Sequence, residues 1–430
     1  MRTLLLILTL FISPVCYGQI TNTQKQETID GILKVLQSRY VFPDVADSMQ
    51  NFVITKLNSG KYDSITSGSE FAFRLTRDLQ EISKDLHLRV EFNENNNVKE
   101  NNGSDETISQ EIWLNQLLAE NNYGINSKKI LEGNIGYLEI PLFGPLEQCV
   151  DTLISAMQYV AGTDALILDL RSCRGSLDEN TIPFLCSYFF AVPTHLFDFQ
   201  TRETKTPKQF WTYAWVPGNH YLEKPIYILT SGRTFSGGEE LAYDLKHTNR
   251  AVIIGEVTRG GANPTELVTI NPNFSMSVPY MRSVNPVTQT NWEGIGVQPD
   301  IQVKSNIALH TAHIKALTSL YEKSSDENQR FKLAETIKKA EANKPRFKQI
   351  RFELNGFENA KEVFVSGTFN SWSPTNTPME KEGNTWVATV ETEPGETGYK
   401  FIVDGKWITD PDNPKTIREN GYENSLLIVE

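Results

Sequence analysis

Apolar and polar positions divide the chain into three textures. Between residues 20 and 90 the apolar side chains recur at helical spacing: Ile29, Ile32, Leu33, Leu36 and Tyr40, then Val45, Met49, Phe52, Val53 and Leu57, then Phe71, Ala72, Leu75, Leu79, Ile82 and Leu86. This pattern predicts three amphipathic helices in a small cap or bundle, the third ending near Asp85-Leu86-His87. The period then shortens to two at Leu88, Val90 and Phe92, so His87 stands at a helix-to-strand junction, where a side chain tends to face a cleft. Taken alone, a single histidine there is more often structural or incidental than functional.

The second texture alternates strand and helix. Residues 93–107 are polar and Asn-rich, the composition of a linker, and a short helix is expected over 108–121. Apolar runs at 135–140 and 165–170 flank an amphipathic segment at 146–160, which predicts a β-α-β unit; the continuous apolar character of 165–170 predicts a strand buried on both faces. Asp169, Arg171 and Gly175 fall at its carboxyl end, where open α/β sheets bind ligands. Residues 225–261 read as strand, small-residue turn, helix and strand, and place Ser236 on the turn that starts the helix. Gly237 and Gly238 leave the backbone beside it open, and first-turn N–H groups can stabilise an oxyanion. Ser236 is therefore a candidate nucleophile, although Ser-x-x-Glu with Glu239 is also a capping box. Further on, Glu293 lies between Trp292 and Gly294 in a glycine-rich turn before a strand at 301–303. It is either a partly desolvated carboxylate able to orient an imidazole or a solvated loop residue.

Residues 308–342 carry Ala, Lys, Glu and Leu at helical spacing and stop at Lys344-Pro345, predicting a connecting helical segment. His310 and His313 lie on it without further ligands, so no metal site is expected. The third texture, from Arg346 to Glu430, consists of short alternating strands at 350–354, 363–367, 386–390, 399–403 and 426–429, which predict an immunoglobulin-like sandwich.

Length and charge narrow the possibilities. A chain of 430 residues implies about two to three domains, and 39% apolar with 22% charged residues is ordinary for a soluble protein. A net charge of -12 argues against nucleic acid as a partner. Residues 1–18 read as an export signal, with Arg2, an apolar core from 4 to 12, then Pro14 and Gly18; the core is too short to span a bilayer. Val15 before Cys16 disfavours lipidation, so cleavage after Gly18 and a periplasmic or secreted location are expected. Cys149, Cys173 and Cys186 then remain, an odd set without metal spacing that is expected to be buried free thiols.

Four of these stretches together resemble peptidase family S41, over about residues 27–303: DLHLRV, ALILDLRSCRG, TSGRTFSGGEELAYDL with RAVIIGEVTRGG, and WEGIGVQPDIQV. The resemblance implies an α/β core of the crotonase/ClpP-like type with no cofactor. It also implies Ser236 as nucleophile, His87 as general base, Glu293 as the carboxylate orienting it, and the N–H groups of Gly237 and Gly175 as oxyanion donors. Gly261 occupies the position where the Ser-Lys branch of the family carries a lysine, which places this chain with the tricorn-like and interphotoreceptor-retinoid-binding-protein-like branch. Ser176 and Cys173 depart from the usual oxyanion segment. Only 47 residues separate His87 from Ile135, too few for an inserted PDZ domain.

The stretches VFVSGTFNSW, GYKFIVDGKWITDP and ENSLLIV resemble the family 48 carbohydrate-binding, or glycogen-binding, module of AMP-activated kinase β subunits. By position, Trp372 and Trp407 would stack on sugar rings, with Lys400 and Asn424 bonding hydroxyls. Alternatively one or both tryptophans are core, and the module holds an α-glucan or a protein partner.

The expected organisation is a signal peptide at 1–18, a helical domain at 19–92, a linker and short helix at 93–130, a peptidase core at 131–305, a connecting segment at 306–345 and a β-sandwich at 346–430. The expected function is that of an exported serine-type peptidase acting on a peptide or protein substrate, the alternative being an inactive ligand- or glycan-binding protein on the same scaffold.

Overall fold

The computed structural model describes residues 20–93, 104–203, 206–370, 372–374, 376–419 and 422–430. The predicted export signal and most of the polar stretch at 93–107 lie outside the described residues. Contacts divide the chain into two units. The first comprises residues 20–111, 198–208 and 263–284, and the second residues 112–197, 209–262 and 285–430.

The first unit contains the three predicted helices, Asn22–Arg39, Pro43–Asn58 and Gly68–Ser83. Each start is written in the sequence. Thr21 and Gln24 form a capping box, Pro43 takes a first-turn position that needs no N–H, and the Ser67 side chain accepts from Glu70 N. The third helix closes on Lys84, which is left-handed at φ 59°. Its apolar stripe of Phe71, Leu75 and Leu79 packs with Ile32, Leu36, Met49 and Val53 against Phe274, Met276 and Val278. Those last residues come from a distant segment. Phe274–Pro279 is the central strand of an antiparallel sheet between Arg89–Phe92 and Thr265–Asn271, and the helices Asn22–Arg39 and Gly68–Ser83 pack on this sheet. The helical cap is thus built on a sheet of which the apolar pattern announced only the strand Arg89–Phe92.

The second unit is organised around a six-stranded sheet in the order Ile301–Gln302, Val252–Gly255, Ile226–Thr230, Ala165–Asp169, Ile135–Glu139 and Ser127–Leu131. Five strands run parallel, and Ser127–Leu131 joins antiparallel at the edge. Ala165–Asp169 and Ile226–Thr230 are buried at every position, as their unbroken apolar runs require. Ser305–Lys323 lies against this sheet through Ala308, Ala312 and Ala316, whose four-residue spacing puts small side chains on one stripe next to Ile167, Tyr227 and Ile254. The connecting helical segment holds two helices, because Asp326 accepts from Asn328 N and Gln329 N and starts a second one, Glu327–Ala342.

The C-terminal part of this unit has two antiparallel sheets. One contains Lys348–Asn355, Thr385–Thr392 and Glu380–Glu382; the other contains Val363–Gly367, Gly395–Val403, Tyr422–Val429, Thr416–Glu419 and Lys406–Ile408. Phe352, Leu354, Val365, Trp386, Tyr399 and Phe401 form its core. Among the described residues, no helix is long and apolar enough to cross a membrane.

Candidate active site and sugar-stacking face

The turn between the strand Ile226–Thr230 and the helix Gly237–His247 carries a serine on a positive-φ backbone. Ser236 sits at φ 52° and ψ -121°, a region sparsely populated by any residue with a Cβ. The Glu239 N–H donates to the Ser236 carbonyl oxygen at 2.8 Å, and the Glu239 carboxylate accepts from Ser236 N at 2.8 Å, closing the capping box that the sequence pattern predicts. Gly237 N lies in the first helical turn, where the helix supplies no carbonyl to it.

Gly175 packs directly on this turn. At φ +131°, its missing Cβ would stand 3.0 Å from the Ser236 Cβ and 3.4 Å from Oγ, and a Cβ on Gly237 would stand 2.5 Å from the Ser176 Cβ. The two loops are locked by Phe235 N donating to Cys173 O at 3.0 Å. Cys173, one of three buried free thiols, has its pKa pushed up to about 12 by burial and is chemically inert. It lies where a Cβ on Gly238 would come within 2.9 Å of its sulfur, so it fills space beneath the turn.

Glu239 does more than the capping pattern suggested. Fully buried, it accepts from Ser236 N at 2.8 Å, Gly261 N at 2.9 Å, Gly260 N at 2.6 Å and Thr258 Oγ1 at 2.5 Å. Burial raises its pKa to about 7 against the pull of those four donors. The same strap of residues continues to Ala262, whose N–H donates to Glu293 Oε2 at 2.6 Å, while the buried Trp292 indole donates to Gly261 O at 2.9 Å. Ser236 and Glu293 are thereby tied to one three-residue segment, with Gly261 at its centre. Its N–H and carbonyl groups are both engaged where the Ser-Lys branch would carry its lysine.

His87 belongs to the first unit. Its side chain is mostly buried, its N–H donates to Asp85 Oδ1 at 3.1 Å, and its Nδ1 stands 4.0 Å from the same oxygen. Asp85 is buried and held by Asn263 Nδ2 at 2.9 Å; desolvation raises its pKa. Sequence reading passed over Asp85 as a helix-end residue, and its spacing of two from His87 was the available signal. Asp169 and Arg171 form a tight ion pair, with Arg171 Nη2 2.6 Å from Asp169 Oδ2 and Tyr137 Oη donating to the same oxygen. That set is saturated, so it braces the strand end.

On the sandwich, neither candidate tryptophan is core. Trp407 is 41% exposed, Trp372 is half-buried, and their rings lie 6.4 Å apart at 40°. Trp407 pairs with Ile402, and Tyr399 pairs with Ser425. Strand alternation then sets Lys400, Trp407 and Asn424 on the face opposite Tyr399 and the core. Tyr422, 70% exposed, shares that face two residues before Asn424, and the Lys400 ammonium lies 5.8 Å from its ring. Asn424 itself is buried.

Comparison with known proteins matches these regions separately. Residues 134–303 match a family model described as Peptidase family S41, residues 20–121 one described as the N-terminal domain of Peptidase_S41 in eukaryotic IRBP, and residues 350–430 one described as the glycogen recognition site of AMP-activated protein kinase. The 5'-AMP-activated protein kinase subunit beta-2 of Mus musculus is 46% identical over 72 residues, 17% of this chain and 26% of that protein. Subunit beta-1 of Sus scrofa is 41% identical over 69 residues, 16% of this chain and 55% of that protein. The chain thus spans between a quarter and just over half of the length of these curated relatives. A crystal structure of a candidate peptidase from Parabacteroides merdae aligns with a TM-score of 0.50 at 14% identity, over 68% of this chain and 96% of that one, a likeness of fold.

Proposed function

The chain belongs to peptidase family S41 and is a serine-type peptidase, and from that premise we propose that it is exported and cleaves peptide bonds through Ser236, His87 and Glu293. In this reading His87 removes the Ser236 proton as the hydroxyl attacks the scissile carbonyl, and Glu293 fixes the imidazole tautomer. The N–H groups of Gly237 and Gly175 receive the developing oxyanion. His87 then protonates the leaving amine, and water activated by the same imidazole releases the acyl group from Ser236. The carrying observation is the backbone of Ser236. A serine at φ 52° and ψ -121°, with a glycine against its Cβ, is strained in the way expected of a nucleophile on a strand-to-helix turn. Cleavage of residues 1–18 would deliver the mature enzyme outside the cytoplasm.

A fluorophosphonate probe should label the wild-type protein and not Ser236→Ala. Equal labelling of both would reject the assignment, and absence of labelling in both would favour a binding protein on this scaffold.

A second activity is supported by the sandwich. The paired, accessible indoles of Trp372 and Trp407, with Lys400 and Asn424 on the same sheet face, suit the flat apolar face and polar rim of a glucose unit. We infer that this module binds an α-glucan. Migration of the wild type should be retarded in a gel containing glycogen, and the Trp372→Ala, Trp407→Ala double variant should run unretarded.

A further inference from the structure

Within the second unit the sandwich meets the six-stranded sheet along a seam. An ion pair between Lys304 and Glu391 crosses it, and a Cβ added to Gly232 would stand 3.5 Å from Asn376 Nδ2. Two cavities, of about 410 Å³ and about 550 Å³, lie along this seam and share Ser305, Asn306, Phe369 and Glu391 on their walls. All the parallel strands contribute to them: Glu139, Asp169, Ser231, Glu256 and Lys304 each lie at, or just beyond, the carboxyl end of one. Open α/β sheets hold ligands at that end, and both volumes fall in the range of ligand sites. Ser236, Trp372 and Trp407 line neither cavity.

Two polar side chains on these walls are left over. Thr392, 2% exposed, lines the smaller cavity and its Oγ1 has no hydrogen-bond partner; Asn306 Oδ1, on the wall of both, has none either. Such atoms are uncommon in folded proteins, and each calls for a partner. The surrounding chemistry narrows what that partner is. Asp169 is taken by Arg171 and Tyr137, Glu391 by Lys304 and Gln349, and Glu256 by the N–H groups of Gly232 and Ser305. Among the described residues, these carboxylates do not converge as a metal cage would. The rest of the walls mix the amides of Asn306 and Asn376 and the hydroxyls of Thr392 and Thr397 with the rings of Phe347 and Phe369. Donors and acceptors interleaved beside aromatic surface suit a neutral polyol, whose hydroxyls each give and take a hydrogen bond. Phe369 stands three residues before Trp372, so a single loop serves both the stacking face and the seam.

We propose that the seam is a second saccharide site, separate from the Trp372–Trp407 face, which takes a short α-glucan through Asn306, Thr392 and Phe369. The kind of sugar rests on the glucan reading of the tryptophan face, which gel retardation checks on its own. The seam is read in the full chain carrying Trp372→Ala and Trp407→Ala, by saturation-transfer NMR with maltotriose. Transfer to the sugar should persist in this double variant. Adding Thr392→Val, or Asn306→Ala, should weaken maltotriose binding by about fivefold or more. Valine keeps the shape of threonine and removes a hydroxyl that is unbonded without sugar, so the sugar-free melting temperature should hold or rise; a purely structural role for Thr392 would lower it. Spermidine is titrated in parallel, to test whether the wall carboxylates select a cation instead. Loss of transfer in the double tryptophan variant, affinity unchanged by both Thr392→Val and Asn306→Ala, or binding of spermidine without maltotriose would overturn the proposal.

Discussion

The strain at Ser236 makes a prediction that separates its backbone from its hydroxyl. Alanine at this position keeps a Cβ at φ 52° and ψ -121°, whereas glycine enters that region freely. The strained conformation costs about 1–3 kcal/mol, and glycine returns about 0.5–1 kcal/mol of that through its greater loss of chain entropy on folding. Ser236→Gly should therefore be more stable than Ser236→Ala by about 1 kcal/mol, although neither carries a nucleophile. For a body of about 150–250 residues this is a rise of about 2–4 °C in the melting transition. Scanning calorimetry of the two variants reads it directly. A control exchange at Gly162, where an added Cβ meets nothing within 4 Å, should run the other way, with alanine the more stable residue. If Ser236→Gly proves no more stable than Ser236→Ala while the control behaves, the turn is not strained, and the main structural support for the nucleophile is gone.

Three further outcomes follow from the same neighbourhood. Gly175→Ala puts a Cβ 3.0 Å from that of Ser236 on a backbone at φ +131°; it should lose about 1–3 kcal/mol of stability and most probe labelling, measured by denaturant titration and fluorophosphonate labelling. Trp292→Phe leaves the Gly261 carbonyl without its indole donor; unfolding should become easier by about 1–3 kcal/mol and labelling of Ser236 slower, since the strap that holds Glu239 and Glu293 loosens. The Glu239 carboxyl, raised by burial from its ordinary 4.5 to about 7, binds its proton more tightly folded than unfolded. Its contribution to stability is complete below pH 4.5 and disappears as pH rises through about 7, on the order of 3 kcal/mol. Between pH 5 and pH 8 the wild type should lose more stability than Glu239→Gln, and parallel losses would refute the raised pKa.

What the chain disclosed in advance was mostly what local periodicity can carry. The runs at 165–170 and 226–229 were readable as buried strands because every position is apolar, and the three N-terminal helices because their stripes repeat without interruption. The strands His195–Thr201 and Met281–Val284, and the pairing of Phe274–Pro279 with Arg89–Phe92, were not, because each needs a partner far away in sequence. The same limit applies within the candidate site. Ser-x-x-Glu was visible as a capping box, but three of the donors to Glu239 lie about twenty residues further on, and nothing local distinguishes a capping carboxylate from one that gathers a remote strap. Asp85 went unremarked for a related reason, since its partners Tyr40 and Asn263 come from separate segments. On the sandwich, Tyr422 escaped notice because alternation alone does not say which face of a strand is the outer one.

The route of the chain through the first unit restricts how the protein can be cut. Arg89–Phe92 pairs with Phe274–Ser277 across more than 180 residues, so the sheet beneath the N-terminal helices cannot close until nearly two thirds of the polypeptide has emerged. Pairing over such distances slows folding. A fragment beginning at residue 131, although it would contain the whole stretch from Ser236 to Glu293, would leave Phe274, Met276 and Val278 without their cover. Expression trials that trim the amino-terminal hundred residues to isolate a minimal peptidase should therefore yield aggregates, and a soluble minimal enzyme must start close to residue 20.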